Sequence, residues 1–149
     1  MHKMILFFSS VCGAGYVKYA PGTAGSLVGI LIWAFFIPEN FIFQAAAVIF
    51  MFFASVLFSS LAEKIYGKKD DQRIVIDEVA GIWLAVVFLP KTILFLFLAF
   101  VLFRIFDVSK PLFIKNLQKI KGGFGITADD MAAGVVTNII LQIFNIILK

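Results

Sequence analysis

Two pairs of neighbouring carboxylates carry the strongest chemical signal in this sequence. Asp77-Glu78 and Asp129-Asp130 each stand at the head of an apolar segment, and Asp77 and Asp130 each begin an Asp-x-x-Ala-Gly run. An ionised carboxylate in or near hydrocarbon costs roughly 2.5–3.5 kcal/mol on insertion scales unless something binds it. The two pairs are therefore candidates for one shared binding site.

Helix capping is the simpler explanation for an acid at the start of a helix, because an Asp there accepts from free N–H groups and faces the positive end of the helix dipole. One carboxylate per helix is enough for a cap, and here the acids come in pairs. The small residues one turn later, Ala80-Gly81 and Ala133-Gly134, would let two helices approach closely. Converging carboxylates need a counter-charge, and oxygen ligands without His or Cys favour Mg²⁺ or Mn²⁺ over zinc.

A second group of charged residues places Asp107 between Arg104 and Lys110, just before the helix-breaking Pro111. Taken alone, the two bases are explained equally well as side chains that snorkel at a membrane edge. Beside a metal site, the pattern indicates that Asp107 joins the acids, as a further ligand or as the base for an attacking water. Arg104 and Lys110 would then receive phosphate.

Two glycine-containing segments are further candidates for contact with a substrate. Residues 21–26 (Pro-Gly-Thr-Ala-Gly-Ser) open a helix with the hydroxyls of Thr23 and Ser26, which suits anion binding by free N–H groups, although Pro-Gly turns are also common without a ligand. Residues 121–125 (Lys-Gly-Gly-Phe-Gly) form a turn just before Asp129, where the glycines would permit a close approach to a substrate.

The residue types that the sequence lacks narrow the chemistry available to such a site. The one histidine, His2, lies at the terminus, which argues against a phosphohistidine intermediate. The one cysteine, Cys12, is followed six residues later by Lys18 and not by the Arg of a cysteine-phosphatase loop, and the sequence has no Asp-x-Asp-x-Thr run for an aspartyl phosphate. A water molecule activated by a metal ion is the nucleophile that remains.

The composition indicates a membrane protein with one domain, residues 1–149. Hydrophobic residues make up 62% of the chain, 19 residues are Phe, and the mean hydropathy is +1.02, more than a small globule can bury. We predict an all-α, polytopic membrane protein with about 4–5 membrane segments and an interfacial N-terminal helix. No nucleic-acid partner is indicated, and the oligomeric state is left open.

The apolar segments differ in length. Residues 4–12 are too short to cross about 30 Å of hydrocarbon, so we expect an interfacial or re-entrant helix there. Residues 41–62 form the clearest span because the segment is long and nearly uncharged. Thr127 is predicted to cap the last segment. The other apolar segments are predicted at 24–37, 74–89, 92–106 and 130–148.

The charges predict an orientation for these segments. Five alternating spans put the loops 13–23, 63–76 and 104–128 on one face of the bilayer, and that face holds every Lys and Arg except Lys91 and Lys149. The positive-inside rule makes this face cytoplasmic. Since the two acid pairs and Asp107 lie on the same face, we predict a polar site facing the cytoplasm.

Four motifs in order give the sequence its resemblance to the phosphatidylglycerophosphatase A family of bacterial membrane enzymes. The match covers about residues 13–141. The motifs are Pro-Gly-Thr-x-Gly-Ser at 21–26, Asp-Glu-x-x-Gly-x-Trp at 77–83, Phe-Arg-x-x-Asp-x-x-Lys-Pro at 103–111, and Gly-Gly-x-Gly-Ile with Asp-Asp-x-x-Ala-Gly at 122–134. Their order and spacing together are more specific than any one of them.

The resemblance implies hydrolysis, dependent on Mg²⁺, of phosphatidylglycerophosphate to phosphatidylglycerol and inorganic phosphate at the cytoplasmic face of the bacterial inner membrane. On this hypothesis the metal ligands are Asp77, Glu78, Asp129 and Asp130. The catalytic residues are Asp77, Glu78, Asp107 and Asp130. The phosphate-binding residues are Thr23, Ser26, Arg104 and Lys110.

The sequence is compatible with two alternatives. A phosphatase for another lipid phosphate fits equally well, because the sequence offers no motif that reads the headgroup. A transporter subunit without enzymatic activity would carry acids along a cation path through the membrane. The acids gather at segment ends instead, and 41–62 has none, which favours the enzyme.

Overall fold

A computed structural model describes residues 2–111, 114, 117, 120 and 122–148. Within that part of the chain the secondary structure is helical and has no strand, so the all-α prediction is confirmed. A short 3-10 helix, Ala14–Tyr16, follows the first α-helix. The α-helices are α1 (His2–Ser9), α2 (Pro21–Phe36), α3 (Phe41–Tyr66), α4 (Ile76–Val86), α5 (Ile93–Ser109) and α6 (Gly123–Ile147).

Local sequence signals set several of these helix ends. Pro21 is the first residue of α2, where its fixed φ suits a helix and its missing N–H is not needed. The Asn40 side chain caps α3 by accepting from the Phe43 N–H at 3.1 Å. At its other end α3 stops at Gly67, whose φ of 65° is readily adopted only by glycine.

The helices form a bundle with two chemically different ends. At one end, which we name the acidic end, α2, α4 and α6 begin and α3 and α5 finish. The Gly123 N–H near the start of α6 donates to Ser60 Oγ there, at 3.0 Å. At the opposite end, Asn138 Nδ2 donates to the Ala85 and Val87 carbonyls at 3.0 and 2.9 Å. Those bonds satisfy carbonyls that the end of α4 leaves free.

Helix α4 lies at the centre of the bundle. All of its residues except Glu78 and Leu84 are buried, and it packs against α2, α3, α5 and α6. The Trp83 Nε1 group donates to the Gly29 carbonyl of α2 at 2.9 Å, which satisfies a buried polar group in the core. By contrast, the outer face of α3 exposes large apolar side chains, such as Phe50 and Phe53.

The backbones of α4 and α6 cross at two glycines. A Cβ atom added to Gly81 would lie 2.7 Å from the Asp130 carbonyl oxygen, and one added to Gly134 would overlap the Gly81 carbonyl. The prediction that the small residues allow two helices to approach closely is therefore confirmed. This crossing joins the helices that carry the two acid pairs.

Two helices are long and apolar enough to cross a membrane, namely α3 and α6. Helix α2 is apolar but has 16 residues, and the predicted segment 74–89 contains only the 11-residue α4. An 11-residue helix is about 16 Å long, roughly half of a hydrocarbon core. These lengths suggest membrane association, while the 4–5 segments and the interfacial role of α1 stay predictions.

The predicted start of the last helix was wrong. Helix α6 begins at Gly123, so Thr127 lies inside the helix and does not cap it. Thr127 instead shares a buried hydrogen bond of 2.7 Å with Ser55 of α3. The earlier start has a steric reason, because Gly123 has no side chain and can pack directly against the backbone of α3 at Val56.

We predict that Gly134→Ala destabilises the bundle by about 1–3 kcal/mol or more, because the added methyl group overlaps the backbone of α4. Thermal unfolding of the purified protein in detergent, followed by circular dichroism, measures the change. Val135→Ala is the matched control, since Val135 is exposed on the same helix, and we expect its effect to stay within about 0.5 kcal/mol. Equal stability of the two variants would contradict the tight crossing.

Candidate active site

The acids of the first pair lie at the start of α4. Asp77 and Glu78 occupy its first turn, as predicted, and Asp77 is only 5% exposed. The second pair lies deeper than expected, because Asp129 and Asp130 follow about two turns of α6. Both acids are buried, so neither acts as a simple helix cap.

Three of these acids converge across the glycine crossing. One carboxylate oxygen each from Asp77, Glu78 and Asp130 lies within 4.8 Å of the other two. Asp77 Oδ1, Glu78 Oε2 and Asp130 Oδ2 are buried and make no hydrogen bond within the described residues. Buried charges without partners are costly, and a hard divalent cation with several oxygen ligands would satisfy them. The donor set is therefore compatible with a divalent metal ion.

Asp129, the fourth predicted metal ligand, is not in this group of three. Its Oδ2 atom accepts from Lys110 Nζ at 2.6 Å, while its Oδ1 atom is buried without a hydrogen bond. Burial lowers the pKa of Lys110, but the bond to Asp129 and the charges of nearby acids outweigh burial and raise that pKa above its usual value. Lys110 is therefore positively charged at neutral pH, and Asp129 orients its side chain.

Asp107 lies between Arg104 and Lys110, the two side chains that are predicted to bind phosphate. Its Oδ2 atom accepts from Arg104 Nη1 in a close ion pair, and its Oδ1 atom is 4.0 Å from Lys110 Nζ. The Arg104 Nε atom is buried and has no hydrogen-bond partner among the described residues. Arg104 thus retains a free donor, and a phosphate oxygen is a suitable acceptor.

The start of α2 closes this side of the site. A Cβ atom on Gly22 would lie 3.2 Å from Arg104 Nη1 and would collide with Glu78 Oε1, so only glycine leaves room for both groups. Ser26 is buried, donates to the Gly22 carbonyl at 2.8 Å and accepts from Arg104 Nη1 at 3.5 Å. Thr23 lies in the same first turn and is partly buried. In this geometry Ser26 orients the guanidinium group.

The turn predicted at 121–125 was wrong for residues 123–125, which form the first turn of α6, and Lys121 lies outside the described residues. Gly123 packs against α3, and a Cβ on Gly125 would collide with the Ile120 carbonyl. These two glycines therefore serve local packing, and their approach to a substrate stays a prediction.

The sequence holds a third acid pair, Asp70-Asp71, in the loop between α3 and α4. The charge of Asp70 acts on both Asp77 and Asp129, so the loop after α3 adds negative charge to the site. Hydrogen bonds from Arg73, one of them 2.7 Å long, hold the pKa of Asp71 below its usual value. The Arg73 guanidinium also stacks on the Tyr66 ring at 3.8 Å. The two consecutive Asp residues were the sequence signal that could have indicated this contribution to the site.

Comparison with known proteins gives consistent matches over nearly the whole chain. A family model described as phosphatidylglycerophosphatase A matches residues 7–145. A Bacteroides thetaiotaomicron protein, provisionally named a phosphatidylinositol-3-phosphatase, is 35% identical over 88% of this chain and 87% of its own. The phosphatidylglycerophosphatase A proteins of Haemophilus influenzae and Escherichia coli are 31% and 33% identical, covering 87% and 84% of this chain and 81% and 74% of their own. No solved structure matches the chain.

We predict that the three convergent acids dominate metal affinity. Asp130→Asn should weaken Mn²⁺ binding by at least about tenfold, because a charged ligand is lost. Asp129→Asn should weaken it less, since Asp129 pairs with Lys110. Titration with Mn²⁺ followed by electron paramagnetic resonance compares the variants, with Asp71→Asn as the control outside the group of three. A larger loss in Asp129→Asn than in Asp130→Asn would restore Asp129 as a principal ligand.

Proposed function

The chain belongs to the phosphatidylglycerophosphatase A family, and on this premise we propose that it hydrolyses phosphatidylglycerophosphate to phosphatidylglycerol and inorganic phosphate. One observation carries the proposal. Buried, unpaired oxygens of Asp77, Glu78 and Asp130 converge on the same end of the bundle as Arg104, which has a free donor. Acids that suit a metal and a base that suits phosphate are the two halves of a site for phosphoryl transfer.

Mg²⁺ is the cofactor that we propose for the acidic half, held by Asp77, Glu78 and Asp130, with Asp129 as a further candidate ligand. When bound, such an ion polarises a phosphoryl oxygen and makes its bound water more acidic. The donor set supports this choice because it consists of carboxylates, which Mg²⁺ prefers.

The basic half would neutralise the negative charge of the phosphate monoester. Arg104 is held in place by Asp107 and Ser26, and Lys110 is held by Asp129. Fixed cations of this kind stabilise charge on the equatorial oxygens during transfer without first having to reorganise. Since both oxygens of Asp107 face cations, its contacts favour a positioning role over that of general base.

The reaction that we propose needs only water as co-substrate. A water oxygen forms a bond to phosphorus, the bond between phosphorus and the terminal glycerol oxygen breaks, and that oxygen takes up a proton. A carboxylate oxygen of Asp77, Glu78 or Asp130 that is not bound to the ion would take the proton lost by water and return it to the leaving glycerol oxygen. The products are phosphatidylglycerol and inorganic phosphate.

For its location, we propose a multi-pass protein of the bacterial inner membrane with the acidic end facing the cytoplasm. The two long apolar helices, α3 and α6, and the bacterial relatives support membrane association. The concentration of Lys and Arg in the segments near the acidic end supports the orientation.

A second substrate candidate has a specific observation in its favour. The relative from Bacteroides thetaiotaomicron, which is more identical to this chain than the two phosphatidylglycerophosphatases, carries a name that specifies a phosphoinositide 3-phosphate. That lipid is also a phosphate monoester, so the same acids and bases would serve it. A transporter is less well supported, because the acids gather at one end of the bundle.

We predict that the purified protein releases phosphate from phosphatidylglycerophosphate with Mg²⁺ and loses this activity in EDTA. Asp77→Asn and Asp130→Asn should each reduce kcat by at least about a hundredfold, because each removes a charged ligand. A malachite-green phosphate assay across phosphatidylglycerophosphate, phosphatidylinositol 3-phosphate and phosphatidic acid decides the substrate. Unchanged turnover in both variants would exclude the proposed site.

We predict that Arg104→Lys retains the charge but loses about tenfold or more in kcat/KM, since an ammonium group cannot contact Asp107, Ser26 and phosphate in the same fork. Arg104→Gln should lose more, because it also removes the charge. Steady-state kinetics in mixed micelles measures both variants. Lys18→Gln is the control, as Lys18 stacks near Tyr19, outside the site. Activity at the level of the unmodified protein in Arg104→Gln would rule out a phosphate contact.

A further inference from the structure

An apolar groove runs between α2 and α5 and has a volume of about 210 Å³. Leu27, Leu31 and Ala34 line one wall, and Phe100, Phe97 and Ile93 line the other. Seven residues separate the ends of each wall, so the groove is about 10 Å long. Leu31 and Phe97, near its middle, are 47% and 61% exposed, which leaves the groove open along its side.

One end of the groove, which we call its upper end, lies towards the acidic end of the bundle and reaches the candidate active site. Leu27 follows Ser26 directly, and Phe100 lies one helical turn before Arg104. Arg104 Nη1 and Ser26 Oγ are 3.5 Å apart and join the two walls at this point. The Arg104 guanidinium group, which we propose to bind phosphate, therefore lies at the upper end of the apolar groove.

At the opposite, lower end of the groove, a polar contact also joins the two walls. Lys91 precedes α5 by two residues, and its Nζ donates to the Trp33 carbonyl at 2.8 Å and to the Ala34 carbonyl at 3.4 Å. The walls are thus joined by polar contacts above and below, with an apolar gap between them. A cation over an apolar gap matches a lipid that carries an anionic headgroup.

A second apolar groove, between α3 and α6, provides a comparison. It is lined by side chains such as Ile49, Phe53 and Met131. One turn above it lies the Ser55–Thr127 pair, which is neutral and buried. Both grooves would accept hydrocarbon, but only the α2–α5 groove has Arg104 at its upper end.

We propose that the α2–α5 groove binds an acyl chain of the lipid phosphate whose headgroup contacts Arg104. This inference rests on the proposed function, and it adds where the lipid lies. Hydrocarbon contacts along the groove would orient the phosphate towards Arg104 and the three convergent acids. The protein would then recognise a lipid phosphate by its chain as well as by its phosphate.

The test uses two readouts, one of which needs no turnover. A phosphonate analogue of phosphatidylglycerophosphate with a diazirine in one acyl chain is photolysed with the protein and Mg²⁺, and labelled positions are mapped by mass spectrometry. We expect labelling to concentrate in 27–34 and 93–100, severalfold above that of a phosphatidylcholine probe with the same chains. Equal labelling by the two probes, or labelling spread over the outer face of α3, would overturn the groove assignment.

Kinetics provides the second readout. Leu31→Trp fills the groove and should raise KM for the diacyl substrate about tenfold. Hydrolysis of the deacylated, water-soluble glycerophosphoglycerophosphate should stay unchanged. Ile49→Trp is the matched control, because Ile49 is 57% exposed in the other groove. Equal losses on both substrates would overturn the proposal, and Ala34→Trp replaces Leu31→Trp if thermal unfolding shows that variant to be misfolded.

The two readouts separate this inference from the proposed function. Selective labelling of the groove without hydrolysis of any lipid phosphate would support the groove and reject the activity. Hydrolysis of the diacyl substrate that Leu31→Trp leaves unaffected, together with unselective labelling, would support the activity and reject the groove.

Discussion

The close crossing of α4 and α6 is the contact on which the rest of the structure depends. Gly81 and Gly134 let the two backbones meet, and the acids one turn away on each helix then face one another. Without that approach, Asp77 and Asp130 would belong to separate helix surfaces. Packing in the core and the geometry of the acids are therefore the same constraint, because each requires that these two positions have no side chain.

Further contacts keep the two bases of the site from pairing with the three convergent acids. The unpaired acids lie on α4 and α6, whereas the bases lie at the end of α5, each oriented by its own acid: Asp107 for Arg104 and Asp129 for Lys110. A cation that collapsed onto the unpaired acids would leave nothing for a metal ion or a phosphate. The paired acids hold the cations in place and leave Asp77, Glu78 and Asp130 for another ligand.

Much of this site followed from the sequence, because doubled acids before Ala-Gly in apolar segments have few other physical reasons to occur. What did not follow depends on tertiary contacts. Helix α6 begins at Gly123, earlier than predicted, because a glycine at that position can pack against α3. The local sequence does not indicate which helix will be its neighbour. The different contacts of Asp129 and Asp130 could not be predicted from the sequence either. Adjacent residues on a helix point about 100° apart, and only the neighbouring helices decide which of the two acids contacts Lys110.

The shortness of α4 has a consequence for how the protein is made. An 11-residue helix is marginal on its own and about half as long as a bilayer core. Its buried position and the bonds from Asn138 to its last carbonyls come from neighbours that appear both before and after it in the chain. We therefore expect α4 to settle only once α6 has been synthesised and inserted. A nascent or truncated chain would then lack the assembled group of three acids on which the proposed hydrolysis depends.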